Sequence, residues 1–210
     1  IRCHGTDVNV YYPGTFKYWM KQYRDWHDNG LRDIRSALDK GKDVAVLTTD
    51  FTSFYHKLSP DFIECDDYLR QFGVILLPEE DRKLTSLVVK MLKTWSASTP
   101  VETGLPVGCS VSSVLANMAL TLLDREIEKL DGLVYYGRYV DDIILAIENT
   151  KGIVDQESFI EWLRSQIPEL ELKKESVAYK PHWLKLDDGC SLFFQKKKTK
   201  VFLFKGPDGK

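Results

Sequence analysis

The chain has 210 residues, 43% of them apolar and 29% charged, a balance that suits a packed domain and excludes a disordered polyelectrolyte. A formal net charge of −2 excludes a uniformly basic nucleic-acid-binding surface, so any such surface is local. No run of about 18 apolar residues occurs, and no membrane span is expected.

Residues 15–40 predict helix. Phe16, Trp19 and Tyr23 fall at helical spacing, and Leu31, Ile34 and Leu38 repeat it after a break at Asn29-Gly30. Residues 44–47 form a short apolar run with strand character, with Asp50 just beyond it. Residues 61–72 carry a further helical pattern. Pro78-Glu79-Glu80 opens a clearer helix, with Leu84, Leu87, Val88, Met91, Leu92 and Trp95 expected on one face. A polar stretch over 96–102 leads into GLPVGCS, and 112–129 is helical again through Val114, Leu115, Met118, Leu122 and Arg125. The segment YYGRYVDDIILAI at 135–147 follows; its flanks, 133–136 and 143–147, are β-branched and aromatic and predict a hairpin. Residues 155–167 predict an amphipathic helix through Phe159, Trp162, Leu163 and Ile167. Residues 191–194 and 201–204 predict strands joined by a lysine-rich segment. Strands mixed with helices, without regular βαβ alternation, predict an α+β fold: an antiparallel sheet with helices on one face.

Asp141 and Asp142 sit side by side within an apolar run. On one reading they are a hairpin turn, since Asp bonds its own nearby backbone there, and both carboxylates are solvated. On the other, a cation sits between them and a third acid. VAVLTTDFTSFYHKL supplies a candidate, Asp50, at the end of a buried strand and 91 residues before Asp141, so only the fold can unite them. If that strand lies beside the hairpin, the three acids converge at one edge of the sheet. Three carboxylates a few ångströms apart do not all stay ionised without a cation. Oxygen-only ligands suit Mg²⁺. Two such ions about 4 Å apart stabilise the attacking and leaving oxygens of an in-line phosphoryl displacement, chemistry that rewards positioned charge over side-chain nucleophiles.

TTDFTSFY, GLPVGCSVSSVLANM, YVDD and, at 193–202, FFQKKKTKVF occur in that order. Together they resemble the palm of a reverse transcriptase, over about residues 42–204. The resemblance implies a polymerase right-hand palm with part of the fingers. Residues 1–43 would be a fingers-proximal helical segment and 44–210 the palm, with an insertion at 148–192. Since IRCHGTDVNV lacks Met and any signal-peptide pattern, the chain reads as a piece of a longer protein, with the remaining fingers before it and the thumb after it. The implied activity is RNA-directed DNA polymerisation: nucleotidyl transfer from dNTPs with two Mg²⁺ ions, for which Mn²⁺ substitutes. Asp50, Asp141 and Asp142 would bind the ions, with the backbone carbonyl of Phe51 as a further ligand. Phe54 and Tyr55 would contact the nucleotide; Tyr55 matches the aromatic that stacks under the sugar and excludes a 2′-hydroxyl, with a core aromatic as its other reading. Residues 104–110, with Pro106, Val107 and Gly108, would lie along the incoming nucleotide and template base, where glycine lets backbone approach closely. Lys198 would sit near the leaving pyrophosphate, or else belongs to a solvated lysine run. Tyr139 and Val140 complete the YxDD box, and Gln195 stands where the family's Asn-x-x-Lys-Thr segment has Asn. His56 reads as a surface or capping histidine, and Arg138 as the partner of a neighbouring acid.

Val107 departs from the Gln that many retroviral, retron and intron enzymes carry there. LPVG, YYPGTFKYW and the FYH after Asp50 look like the bacterial abortive-infection and defence-associated branch. Implied partners are an RNA template, a DNA product and dNTPs, with a noncoding RNA or a partner defence protein, and oligomers, in that branch. RNA-dependent RNA synthesis is disfavoured by Tyr55. Untemplated or protein-primed DNA synthesis needs the same metal site and stays open. A catalytically idle palm serving as an RNA-binding scaffold is the reading from another class; three intact acids count against it. Cys3, Cys65, Cys109 and Cys190 lie far apart with no CxxC pair, which fits reduced thiols and a cytoplasmic protein.

Overall fold

The computed structural model describes residues 3–4, 7–8, 19–100, 102–173, 176–181, 183 and 191–207. Phe16, the YYPGTFKYW motif as far as residue 18, and Cys190 lie outside them. In chain order, the short pair β1 (Cys3–His4) and β2 (Asp7–Val8) precedes α1 (Trp19–Asp39) and β3 (Val44–Thr49). Next come α2 (Phe54–Lys57), a 3-10 turn (Pro60–Glu64), α3 (Asp66–Arg70), α4 (Glu79–Ala97) and α5 (Ser110–Glu128). The hairpin β4 (Leu133–Tyr139) and β5 (Asp142–Glu148), then α6 (Gln156–Gln166), β6 (Leu170–Lys173), β7 (Ser176–Tyr179), β8 (Leu192–Phe193) and β9 (Lys200–Phe204) complete it.

The central sheet is antiparallel throughout, in the order β4-β5-β3-β9. Alternation along β3 and β5 supplies two apolar faces. Ala45, Leu47, Ile143, Leu145 and Ile147 belong to the main core, with α5 (Ala116, Leu120, Leu123) and α6 (Phe159, Leu163). Val44, Val46, Ile144 and Ala146 pack instead with Ile34 and Ala37 of α1. β3 and β5 are therefore covered on both faces, which is why these strands read as continuous apolar runs, whereas β9 is largely exposed. Helices on one face describes α5 and α6; α1 takes the other.

Three local expectations differ from the structure. First, α1 runs unbroken through Asn29-Gly30. Gly30 is a packing notch: a Cβ there would stand 2.9 Å from Cε1 of Tyr135 on β4. Second, the 61–72 pattern divides into the 3-10 turn and α3, because Cys65 between them is extended. Third, the apolar face of α4 is split. Val89, Leu92 and Ser96 are buried, whereas Leu84, Leu87, Met91 and Trp95 are exposed. Ser96, on the same side as Val89 and Leu92, turns inward to donate its hydroxyl to the Gly104 carbonyl at 2.5 Å.

Residues 148–192 hold α6 and most of a second sheet, β6-β7-β8. Phe159, Leu163, Ile167, Leu170, Val177 and Tyr179 from this stretch sit in the main core. Asp155 and Ser158 start α6 with a reciprocal capping box. No described helix is long and apolar enough to cross a membrane.

Candidate active site

Strand register assembles the site. β3 pairs Thr49 with Ile143 of β5 and Thr48 with Lys200 of β9. Continued past the end of β3, the same registers bring Asp50 abreast of Asp142 on one side and Lys198 on the other. Tyr139 pairs with Asp142 to close the hairpin, which leaves Val140 and Asp141 as its two-residue turn. The three acids and Lys198 thus stand at one end of one sheet, although they come from three separate stretches of chain.

Asp50 is 5% exposed and surrounded by the FFQKKKT segment. The Gln195 backbone N–H donates to the Asp50 carbonyl at 2.8 Å. With its nitrogen turned toward the acid, the orientation that pairs donor with acceptor, the Gln195 amide donates to Oδ1 at 2.9 Å and Oδ2 at 3.1 Å. Lys198 donates its ammonium to Asp50 Oδ2, and this bond raises the lysine pKa. Behind them the Thr49 and Thr199 hydroxyls meet at 2.8 Å, both residues being buried. Phe51 bridges to Phe194, and the Thr52 N–H donates to the Phe193 carbonyl at 2.8 Å. Gln195 is thus a double support for Asp50, through main chain and side chain.

Across the strand the balance is reversed. Burial pushes the Asp141 carboxyl up to about 6, and the charges of Asp142 and Asp50 add to the rise. Asp142 is also raised, first by burial and then by Asp50. Half-buried carboxylates that repel one another call for a cation. Among the described residues no group of three or more His, Cys, Asp or Glu side chains is gathered closely enough to hold a metal ion; the cation against Asp50 is the Lys198 ammonium. The donor chemistry nonetheless fits a hard divalent ion: carboxylate oxygens, no softer ligand, and two acids whose negative charge Lys198 offsets only in part.

The remaining residues fall into distinct places. Tyr55 is half-buried, its hydroxyl 3.5 Å from Ser113 Oγ on α5. Phe54 is 2% exposed and its ring stacks on Phe51 at 5.8 Å, so the placement of Phe54 against a nucleotide is corrected: its side chain is core. The Phe51 ring is core as well, which leaves its backbone beside Asp50. Pro106 is buried, whereas Val107 and Gly108 are exposed at the tip of the loop. The loop is stitched to the Asp50 segment at its base, where the Leu105 N–H donates to the Tyr55 carbonyl at 2.7 Å. Gly104, at φ +85°, lies so close that a Cβ would sit 2.3 Å from the same oxygen. His56 is exposed, and its carbonyl accepts the Thr103 hydroxyl at 2.9 Å.

Sequence reasoning missed two features. On α1, Tyr23 packs edge-on against Tyr139 at 5.2 Å and Trp26 lies 6.2 Å from it, beside a groove of about 330 Å³ that also reaches His27, Asp142, Lys197 and Lys200. The helical spacing of Tyr23 was visible, but not its destination. Arg138 was read as an ion-pair partner without its acid; that acid is Asp124 of α5. No spacing rule links a strand arginine to a helix 14 residues earlier.

The sequence model of the family described as reverse transcriptase (RNA-dependent DNA polymerase) matches residues 15–202. No curated protein matches the chain.

Proposed function

The chain belongs to the reverse transcriptase family, and on that footing we propose which of its residues do the work and in what setting. It is a nucleotidyltransferase, an RNA-directed DNA polymerase, and its substrates are nucleic acid and dNTPs. The proposed site is Asp50, Asp141 and Asp142, which would hold two Mg²⁺ ions. When bound, the ions would supply the positive charge that stabilises the attacking and leaving oxygens of an in-line displacement. The observation that carries this reading is the register that sets Asp50 abreast of Asp142 and Lys198.

The chain's own residues have positioning and screening roles. Gln195 fixes the Asp50 carboxylate from two directions. Lys198, exposed on its outer side, neutralises Asp50 and presents an ammonium where phosphate charge would collect. Tyr55 lies beside the Asp50 segment with its hydroxyl 3.5 Å from Ser113 of α5, and its ring would crowd a ribose 2′-hydroxyl. The loop from Gly104 to Gly108 offers backbone and an open tip to the incoming nucleotide and template. The setting we propose is bacterial antiviral defence, on the likeness of LPVG, FYH and YYPGTFKYW to that branch.

The test is dNTP incorporation by the full-length protein, with and without RNA template and primer. Wild type is expected to make product that tracks the template, and Asp141→Asn/Asp142→Asn none. A homopolymer made without template would replace templated synthesis with self-instructed synthesis. Equal activity in wild type and variant would overturn the assignment of the acids. Phage plating on cells expressing either form tests the setting, and equal plating would refute it.

A further inference from the structure

Val140 is the first residue of the hairpin turn and has φ +59°. That is the left-handed region, which a β-branched side chain occupies only under constraint. A residue held there without glycine's freedom needs neighbours that over-determine it. The Val140 side chain packs against the main core, and its carbonyl is held by Arg138.

The Arg138 side chain is 8% exposed. Its Nη1 donates to the Val140 carbonyl, on the strained residue itself. The rest of the guanidinium is anchored to α5. Nε and Nη2 donate to the two oxygens of Asp124 at 2.8 and 2.6 Å, a bidentate fork. Nη1 also donates to Asn117 Oδ1 at 3.1 Å, and Nη2 to the Asn117 carbonyl at 3.2 Å. Asp124 is held in turn by the Tyr136 hydroxyl at 2.5 Å. Asn117 donates back to the Ser113 carbonyl at 2.8 Å, and the Ser113 hydroxyl faces Tyr55. One planar group thus ties the turn that carries Asp141 to the helix that follows the Gly104–Gly108 loop. An ion pair serving stability alone has no need of the bond to Val140.

We propose that Arg138 is a positioning residue: it clamps Val140 in its left-handed conformation and so presents Asp141 and Asp142 in one fixed arrangement. The proposal rests on the reading that these acids serve polymerisation. Lysine keeps the charge but not the fork, and cannot reach Asp124, Asn117 and Val140 together. Glycine at 140 adopts the same φ without strain and needs no clamp.

Four forms of the full-length protein are compared: wild type, Arg138→Lys, Val140→Gly and the double variant. Primer extension is measured against Mg²⁺ and dNTP concentration, and Mn²⁺ binding is read separately by electron paramagnetic resonance. Arg138→Lys is expected to lower kcat at least tenfold and to weaken Mn²⁺ binding at least fivefold, with KM for dNTP within twofold of wild type. Adding Val140→Gly is expected to recover kcat and Mn²⁺ affinity at least threefold over Arg138→Lys. If Arg138→Lys lowers only the melting temperature, with kcat and Mn²⁺ affinity intact, Arg138 is a stabilising ion pair and the proposal fails. It fails also if both quantities drop and Val140→Gly recovers neither. Wild type that neither binds Mn²⁺ nor extends a primer overturns the functional reading itself, an outcome distinct from the other two. If Arg138→Lys does not fold, Asn117→Ala removes one support of the same group; about threefold weaker Mn²⁺ binding is expected, and unchanged binding refutes the clamp.

Discussion

Replacing Asp141 with Asn is expected to stabilise the metal-free protein at neutral pH. The carboxyl moves from 3.8 to about 6 because of burial and the charges of Asp142 and Asp50. Between those values the folded state holds a proton that the unfolded chain has released. Stability is therefore fully present below about pH 4 and is lost as pH rises through about 6. At about 1.4 kcal/mol per pH unit the whole difference is worth ~3 kcal/mol, and solvent screening of a half-buried carboxyl reduces it to ~1–2 kcal/mol. Asn has nearly the same shape and no charge, so it recovers that penalty. For a chain of this size the gain is a rise in Tm of about 2–8 °C. Thermal melts in EDTA at pH 7.5 and pH 5 measure it; the difference should be present at pH 7.5 and shrink at pH 5. Millimolar Mg²⁺ should then raise the Tm of wild type and leave the variant unmoved, because the variant lacks the ligand. A variant that melts with or below wild type at pH 7.5 without metal would refute the charge argument.

Four further outcomes follow from the same geometry. Lys198→Ala leaves the buried Asp50 carboxylate without its cation, so the metal-free Tm should fall and Mg²⁺ should restore more of it than it adds to wild type; a Tm unchanged in EDTA would show that Gln195 alone suffices. Gly104→Ala places a Cβ 2.3 Å from the Tyr55 carbonyl at φ +85° and should cost about 3 kcal/mol or more in urea denaturation. Tyr55→Val should relax discrimination against ribonucleotides about tenfold or more, read as the ratio of kcat/KM for dNTP and rNTP, and an unchanged ratio would assign the ring to packing. Leu87→Gln, on the exposed side of α4, should change stability by less than about 0.5 kcal/mol by urea denaturation.

Sequence alone determined what depends on local pattern. Short apolar, β-branched and aromatic runs announced β3 and the β4–β5 hairpin, helical periodicity announced α4, α5 and α6, and the four ordered motifs pointed to the family that matches residues 15–202. The chemistry of the candidate site was legible for the same reason: paired acids within an apolar run are costly, so their presence asks for a cation. Tertiary structure decided what depends on a partner elsewhere in the chain. Gly30 read as a helix break because local propensity does not register the Tyr135 ring that occupies the place of its side chain. Leu84, Leu87, Met91 and Trp95 read as one apolar face with Val88 and Leu92, yet they are exposed, because periodicity marks an apolar stripe without saying what meets it. Phe54 read as a nucleotide contact because proximity in sequence does not tell which way a ring turns. The clamp of Arg138 on Asp124, Asn117 and Val140 and the double grip of Gln195 on Asp50 were invisible, since each joins residues through strand register and helix packing. Sequence states which groups are charged or apolar; only the folded chain states which of them touch and which are strained.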